Sequence, residues 1–216
     1  MLECFHTKGN RHVNGEFEVY RVVMGEIAFV QTSPELQDSS VILGKEGDMF
    51  NVIPRYFHRA VNLSSKKFLV TSDVRPMDTQ TSYSPVDEKG YPINIVRDAK
   101  NNLFLRRSDG QTVPLKEELL EVQRVVYHSQ IKIKNSLIKK IIEKAQKNQL
   151  QLGKPYEDTG YIVSNIRKVS DMKNFYINSD EAAKINDIAY ITLVGRLKEI
   201  NIINGLTIIL PGAVSL

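Results

Sequence analysis

The stretch that decides the fold of this chain is Gly9-Asn10-Arg11-His12-Val13-Asn14-Gly15-Glu16-Phe17-Glu18-Val19-Tyr20. A second stretch echoes it further along, from Gly47 to Pro54-Arg55-Tyr56-Phe57-His58. Short apolar runs separated by glycine-containing turns are typical of strands. Together the two stretches place two histidines and one carboxylate on short apolar strands: His12, His58 and Glu18.

These three side chains are of the kinds that hold first-row metal ions. Imidazole nitrogen and carboxylate oxygen suit Zn, Fe, Ni or Mn, and a site with three protein ligands leaves positions open for a substrate. A single His or Glu on a strand is more often structural, because it usually forms a hydrogen bond or faces water. The combination of all three favours a metal site.

Composition describes an ordinary globular protein. The chain has 216 residues, of which 42% are hydrophobic and 25% are charged, so it is long enough for one large or two small domains. Its net charge is +4, but much of the lysine excess lies in one middle segment, so we expect no nucleic-acid partner. The single cysteine, Cys4, excludes an internal disulfide framework. The sequence has no long apolar run and no leader pattern, so we expect no membrane contact and a cytoplasmic location.

Residues 3–107 have the pattern of short strands separated by turn residues. We predict strands in the following segments: Phe17–Val23, Ile27–Gln31, Ser40–Leu43, Met49–Ile53, Arg59–Leu63, Phe68–Ser72, Pro92–Val96 and Leu103–Leu105. Strands this short at such regular spacing predict a mainly β sandwich or barrel.

The period changes after this region. From Val113 to about Asn148 the apolar residues fall at helical spacing, with lysines between them, which predicts a helical segment with a solvated face. A short helix is predicted at Ser179–Lys184, and strands return at Ile188–Val194 and Gly205–Leu210.

The two polar clusters resemble the cupin pattern. The first cupin motif is matched by Asn10, His12, Glu18 and Gly25, and the second motif is matched by these residues: Gly47, Pro54, His58 and Asn62. The resemblance implies a cupin jelly-roll barrel.

A closer resemblance is to the cupin-type glucose-6-phosphate isomerases best known from archaea. It rests on the following segments of the first half: Thr7-Lys8-Gly9, Glu18-Val19-Tyr20, Pro54 to Arg59, Val61-Asn62, Tyr83 and Glu88-Lys89-Gly90-Tyr91. The tail resembles the beginning of the same family in these segments: Val169 to Lys173, Ser179 to Ala182, Tyr190 and Thr207 to Gly212.

This order of segments implies a circularly permuted cupin. Residues 1–112 would form the larger part of the barrel with the metal site, residues 113–150 a helical connector, and residues 151–216 the remaining strands and short helix. A fragment that spans the junction of two tandem cupins is the alternative.

The resemblance also implies the chemistry. His12, Glu18 and His58 would bind one divalent metal ion (Fe, Mn, Ni or Zn), which polarises two neighbouring substrate oxygens. Glu18 is the candidate base for moving a proton between adjacent carbons. A hydride shift would use the same residues with Glu18 as a ligand only, and the sequence does not separate the two routes.

Other residues carried over from the family line the substrate site. Thr7, Gly9 and Thr207 would bind the substrate phosphate, and Tyr20 and Tyr83 would line the sugar site as catalytic residues. Each Thr is equally well explained as a strand former, and Tyr20 as a packed aromatic residue.

Two positions depart from the family pattern. Asn10 stands where the family has its first metal histidine, and Thr81 where it often has a pocket histidine. Asn10 can still bind a metal through its oxygen, as a weaker ligand than imidazole. His6 shares the strand parity of Asn10 and His12, so it is a possible replacement ligand, although a core histidine is the more frequent role.

These observations predict a metal-dependent aldose-ketose isomerase that interconverts glucose 6-phosphate and fructose 6-phosphate. The departures at Asn10 and Thr81 keep open a non-catalytic cupin module that binds a sugar phosphate, and another metal-dependent cupin enzyme is a third possibility. The expected partner is a hexose phosphate, and a homodimer is plausible because cupins often pair through sheet edges.

Overall fold

The fold is mainly β, as the sequence predicts. A computed structural model of the chain describes residues 1–115 and 135–216. Its strands are β1 (Leu2–Cys4), β2 (Arg11–His12), β3 (Val19–Met24), β4 (Glu26–Thr32), β5 (Ser39–Lys45), β6 (Met49–Asn51), β7 (Phe57–Asn62), β8 (Leu69–Pro76), β9 (Thr81–Ser82), β10 (Ile93–Arg97), β11 (Leu103–Arg107), β12 (Thr112–Pro114), β13 (Ile162–Lys168), β14 (Ile188–Leu197), β15 (Ile202–Ile209) and β16 (Ala213–Ser215). Its α-helices are α1 (Val86–Lys89), α2 (Asn135–Gln146) and α3 (Ser179–Lys184).

The strands form antiparallel sheets. The back sheet has six strands in the order β13-β14-β15-β8-β3-β6. The front of the molecule contains β12-β11-β10-β1-β16 and β5-β4-β7, and β2 pairs separately with β9. Isolated bridges from His6 to Val61 and from Asn10 to His58 connect the segment after β1 to β7. Together these sheets form the cupin jelly roll.

The main core lies between the front and back sheets. Its largest members are aromatic and aliphatic side chains of both sheets, among them Phe29, Phe50, Phe57, Leu69 and Ile209. Alternation along each strand sends every second side chain inward, so short strands with apolar alternation suffice to build this core. Each fully buried Phe or Leu contributes roughly 1.5–3 kcal/mol of burial free energy.

Strands from the tail of the chain complete the sheets that the first half begins. In the back sheet β15 pairs with β8, with Thr207 opposite Thr71. In the front, β16 pairs with β1, with Val214 opposite Glu3. The Leu216 N–H donates to the Met1 carbonyl at 3.1 Å. Residues from both ends of the sequence therefore share the same sheets.

The predicted amphipathic helix is present as α2. Its apolar side chains Ile138, Ile141 and Ile142 pack in one cluster with Leu206 and Ile208 of β15, which covers the outer face of the back sheet. Lys139 and Lys140 are exposed, as expected for a solvated face.

The prediction of a helical segment from Val113 is wrong at its start. Val113 and Pro114 instead form β12, where they pair with Leu105 and Phe104 of β11. Pro114 is tolerated there because β12 is an edge strand. The Leu115 N–H donates to the Leu103 carbonyl at 3.0 Å, and the prediction for residues 116–134 lies outside the described residues. No helix within the described ranges is long and apolar enough to cross a membrane.

A buried polar cluster lies beneath β1. The Arg59 guanidinium is about 1% exposed, donates to the Ile93 carbonyl at 2.7 Å, and lies 4.1 Å from the centre of the Tyr91 ring. The Glu3 carboxylate accepts from the Ile177 N–H at 2.8 Å. Burial raises the pKa of Glu3 to about 7, although the positive charge of Arg59 acts in the opposite direction. A carboxyl group therefore remains largely protonated inside the protein at pH 6.

The first prediction concerns Asn62, which connects the two ends of the sequence. Its Nδ2 donates to the Lys67 carbonyl at 2.9 Å and to the Ile209 carbonyl at 3.2 Å. We expect Asn62→Ala to lower the free energy of unfolding by about 2 kcal/mol, because the buried Ile209 carbonyl and the partly buried Lys67 carbonyl lose their donor. Urea denaturation measures the change, and Asn174→Ala, at an exposed position, should stay within about 0.5 kcal/mol of the parent. Equal effects of the two substitutions would contradict the prediction.

The second prediction concerns Glu3 and pH. Because its folded pKa of about 7 lies above its ordinary value of 4.5, the folded state holds a proton that the unfolded state releases between these values. The stabilising contribution is complete below pH 4.5 and is lost as pH rises through about 7. In Glu3→Gln the side chain stays neutral at every pH. The free energy of unfolding of this variant should therefore change with pH by on the order of 2 kcal/mol less than that of the parent.

Urea denaturation of both proteins between pH 5 and 8 tests this expectation, with Glu35→Gln at an exposed loop position as the matched control. His6, Arg59 and Tyr176 surround Glu3 and are unchanged in both variants. Parallel pH curves for the parent and Glu3→Gln would refute the assignment.

Candidate metal centre

Three separate segments bring the predicted metal ligands together. His12 lies on β2, His58 on β7, and Glu18 immediately before β3. The Nε2 atoms of His12 and His58 lie 3.1 and 2.8 Å from the same Glu18 oxygen, Oε2. All three side chains are at most 2% exposed. The structure thus places residues that are up to 46 positions apart into one buried cluster.

The backbone orients both imidazoles. His12 Nδ1 lies 3.3 Å from the Glu16 carbonyl, and His58 Nδ1 lies 3.2 Å from the Tyr56 carbonyl. A carbonyl only accepts, so these contacts assign the proton of each ring to Nδ1. The Nε2 atoms of both rings point into the cluster, where they would bind a metal ion through their lone pairs or, without one, can donate a proton toward Glu18.

The cluster has the donor chemistry of a metal site. In the described part of the chain, His12 Nε2, His58 Nε2 and Glu18 Oε2 are buried and have no partner in hydrogen-bond geometry, although they lie close together. One ligand atom from each residue lies within 4.8 Å of the other two. Buried polar atoms left without hydrogen bonds are costly, and a divalent cation between them would satisfy all three. The cluster could therefore hold a metal ion.

Electrostatics favour an ionised Glu18. Burial alone raises the pKa of a carboxyl group, but the neighbouring His58 and His12 outweigh burial and hold the pKa of Glu18 below its usual range. A carboxylate is the form that binds a cation.

The cluster opens into a cavity of about 250 Å³. Among the predicted residues, Asn10, Thr81, Tyr20 and Tyr83 all line it. Asn10 pairs with His58 through backbone hydrogen bonds in both directions, of 3.3 and 3.0 Å. This pairing fixes the Asn10 side chain beside the cluster.

Tyr20 and Tyr83 occupy different environments in the cavity wall. The Tyr20 ring lies 4.7 Å from Phe29 and 5.8 Å from His58. Burial and the negative charges of Glu18 and Asp73 raise the pKa of Tyr20 well above its ordinary value, so its hydroxyl stays a hydrogen-bond donor. Tyr83 is 37% exposed at the mouth.

The three predicted phosphate-binding residues also line the cavity. The Thr7 hydroxyl accepts from the Ala60 N–H at 3.1 Å, and the Thr207 hydroxyl lies 3.2 Å from that of Thr192. Gly9 has a φ of +74°, and a Cβ there would overlap the Tyr91 hydroxyl and approach the His58 carbonyl. Packing alone therefore requires glycine at this position, whether or not an anion binds.

His6 lies apart from the metal cluster. Its Nδ1 contacts the Thr7 carbonyl at 2.7 Å, and its ring lies 4.4 Å from that of Tyr176. Its Nε2 is 3.7 Å from Glu3 Oε1. His6 is a core histidine in the polar cluster beneath β1.

Several cavity residues were given no role in the site by the sequence analysis. Lys8 contributes a cation, with its Nζ 4.0 Å from the centre of the Tyr83 ring. Asp73 and Arg75 of β8 also line the cavity. Burial and the negative charge of Glu18 raise the pKa of Asp73 to about 7. The signal that could have found them is the run of polar residues at alternate positions of β8, Thr71, Asp73 and Arg75, which places polar groups on one face of a strand with buried neighbours.

Comparison with known proteins agrees with this geometry. The family model for glucose-6-phosphate isomerase (GPI) matches residues 2–111, just over half of the chain. The matched range contains His12, Glu18 and His58. No curated protein matches the chain. The chain belongs to the glucose-6-phosphate isomerase (GPI) family, of the cupin type.

Proposed function

We propose that this protein is a metal-dependent aldose-ketose isomerase that interconverts glucose 6-phosphate and fructose 6-phosphate. The observation that carries the proposal is the buried cluster of His12, Glu18 and His58 at the inner end of a small polar cavity, in a chain of the GPI family. The isomerisation moves hydrogen between two adjacent carbons while charge develops on their oxygens.

The residues of the cluster have separate roles in this proposal. His12, Glu18 and His58 hold one divalent ion (Fe, Mn, Ni or Zn). When bound, the ion acts as a Lewis acid toward the two substrate oxygens. Glu18 is also the candidate base, because its carboxylate faces the cavity. Tyr20 keeps its proton and donates a hydrogen bond toward the sugar.

Other residues of the same cavity suit the phosphate. Thr7, Gly9 and Thr207 line it together with Lys8, whose side chain supplies a positive charge. Burial and the charge of Arg167 lower the pKa of Lys8, so two cationic side chains act on the same region. An anionic group there would relieve their mutual repulsion.

A second candidate is a non-catalytic module that binds a sugar phosphate. Two residues favour it, Asn10 and Thr81. Both line the cavity, and both stand at positions where the family pattern has histidines. Another metal-dependent cupin enzyme is a third candidate, and the threonines and Lys8 argue against it because they suit a phosphorylated ligand. A homodimer, a cytoplasmic location and a place in glycolysis or gluconeogenesis belong to the leading proposal.

The third prediction tests the activity. Purified protein loaded in turn with Mn, Fe, Ni and Zn should convert fructose 6-phosphate to glucose 6-phosphate in a coupled dehydrogenase assay, and should bind about one metal ion per chain. Metal content can be measured by plasma emission spectrometry. Metal and hexose phosphate binding without turnover on any added metal would favour the binding module instead.

Three variants separate the roles in that assay. His58→Ala should lose metal and turnover together, because it removes a ligand. Glu18→Gln should reduce turnover at least about 100-fold with little change in the free energy of unfolding, because general-base catalysis contributes roughly 10²–10⁴-fold. His6→Gln, outside the cluster, should keep the metal content of the parent. Unchanged turnover in Glu18→Gln would remove Glu18 as the base.

We also propose that the segments are ordered as a circular permutation, with residues 1–112 and 151–216 as parts of one barrel and 113–150 as the connector. Support comes from the resemblance of the tail to the beginning of the family and from the pairing of β16 with β1. The Leu216–Met1 hydrogen bond places the two ends within reach of a short linker.

The fourth prediction follows from this order. A chain in which Leu216 is joined to Met1 by a short glycine linker, with new ends opened within residues 116–134, should unfold in one transition and bind metal as the parent does. The reason is that the linker replaces a contact that already exists. The same linker with the new ends placed inside β4 is the matched control and should not fold. Loss of metal binding in the first chain would contradict the permuted order.

A further inference from the structure

The cavity contains a second carboxylate that the proposed roles do not use. Asp73 lies on β8, is 6% exposed, and lines the cavity beside Glu18 and Tyr20. It is not one of the three residues grouped as candidate metal ligands. Its Oδ2 is 3.9 Å from Arg75 Nε, at the outer limit of an ion pair, and its side chain also contacts Glu18, so Asp73 borders the metal cluster.

Strand register fixes the level of Asp73 in the cavity. Asp73 is opposite Tyr20 of β3 on one side and opposite Gly205 of β15 on the other. Both neighbours are antiparallel to β8, so β3 and β15 run parallel to each other. Glu18 lies two residues before Tyr20, the residue of β3 that is opposite Asp73. Thr207 lies two residues after Gly205, the residue of β15 that is opposite Asp73.

These offsets place Asp73 between the two functional ends. Two residues of strand span about 7 Å, so the backbone positions of Glu18 and Thr207 lie on opposite sides of Asp73 at similar distances along the sheet. A ligand that touches both ends must pass Asp73. In an extended hexose phosphate, the atoms at that level are the central carbons, which carry hydroxyl groups.

The backbone of β15 is adapted to this carboxylate. A Cβ on residue 205 would overlap the carboxylate oxygens and Cγ of Asp73. Because residue 205 is glycine, the carboxylate can lie against the neighbouring strand and leave the cavity open above it. The side chain is therefore held in one place on the cavity floor.

We propose that Asp73 is a specificity-determining residue that accepts hydrogen bonds from the central hydroxyl groups of an extended hexose phosphate. The inference rests on the proposed function, since it takes the metal cluster and Thr207 as the two ends of the ligand. A carboxyl group offers two oxygens to hydroxyl donors, and these hydrogen bonds are strongest when the group is ionised. Asp73 thereby selects sugars that carry hydroxyl groups at these carbons.

The experiment is calorimetric titration of the metal-loaded protein with glucose 6-phosphate, its 3-deoxy and 4-deoxy analogues, and inorganic phosphate. Asp73→Ala should weaken binding of glucose 6-phosphate about 10- to 100-fold, the usual effect of losing a hydrogen bond to a charged group. For each deoxy analogue, which lacks one of these hydroxyl groups, the loss caused by Asp73→Ala should be smaller than for glucose 6-phosphate. Inorganic phosphate should bind the variant no more weakly than the parent, because its candidate ligands lie elsewhere.

Two further variants keep the test independent of folding defects. Asp73→Asn retains the side-chain volume and should show the same pattern with a smaller loss. Gly205→Ala keeps the carboxylate but displaces it, so it should weaken glucose 6-phosphate and leave inorganic phosphate unchanged. Asp78→Asn, an exposed carboxylate just after β8, is the matched control and should bind every ligand like the parent.

The outcomes separate this inference from the proposed function. Equal losses in Asp73→Ala for glucose 6-phosphate and both deoxy analogues, or no loss for any of them, would overturn the role of Asp73. Binding of glucose 6-phosphate with the predicted dependence on Asp73, but without turnover by the parent, would overturn the isomerase activity and leave the role of Asp73 intact.

Discussion

The backbone pairing between residues 5–10 and β7 is the constraint on which the site depends. The Thr7 N–H donates to the Ala60 carbonyl at 2.9 Å, and the Asn62 N–H donates to the Phe5 carbonyl at 3.0 Å. The pairing of Asn10 with His58 continues this ladder. One short run of hydrogen bonds therefore connects β1 to β7 and carries the chain from the buried cluster beneath β1 to the edge of the metal centre.

Two buried carboxyl groups, Glu18 in the metal cluster and Glu3 in the polar cluster beneath β1, have pKa values shifted in opposite directions. Glu18 is buried between two imidazoles, and their influence keeps it ionised. Glu3 is buried near Arg59, yet burial dominates and its pKa rises to about 7. The difference follows from the neighbours: Glu18 has two imidazole nitrogens within 3.1 Å of one oxygen, whereas Arg59 directs its guanidinium toward the Ile93 carbonyl and Asn94. Equal burial thus yields a cation-binding carboxylate in one place and a neutral acid in the other.

Much of the fold was accessible from the sequence because alternation along short strands is a local signal. The strands around Phe29, Leu69 and Ile208 lie where the pattern predicts them. The prediction at Val113 failed because an apolar run near a helical segment has no unambiguous period, and pairing with β11 determined its structure instead. β13 was missed because Ile162–Lys168 has few apolar residues, with much of the strand only partly buried.

The site shows a similar division. His12, Glu18 and His58 converge because the motif spacing that the sequence shares with cupins reflects strand geometry. The parity argument that placed His6 on the same face as Asn10 does not hold, because the positive φ of Gly9 interrupts the alternation. Asp73 was not found because the alternating polar residues of β8 were not used as a signal, and its contact with Gly205, 132 residues away, leaves no local pattern.

The contact between Asp73 and Gly205 also limits how this sequence can change. A β-carbon at position 205 and a carboxylate at position 73 require the same space, so the two positions cannot vary independently. A chain that acquires alanine or serine at 205 must first shorten or redirect the side chain at 73. Among natural relatives, a residue other than glycine at 205 should therefore accompany either a smaller residue or a redirected carboxylate at 73, and this pair can serve as a marker for cavities that recognise their sugar differently.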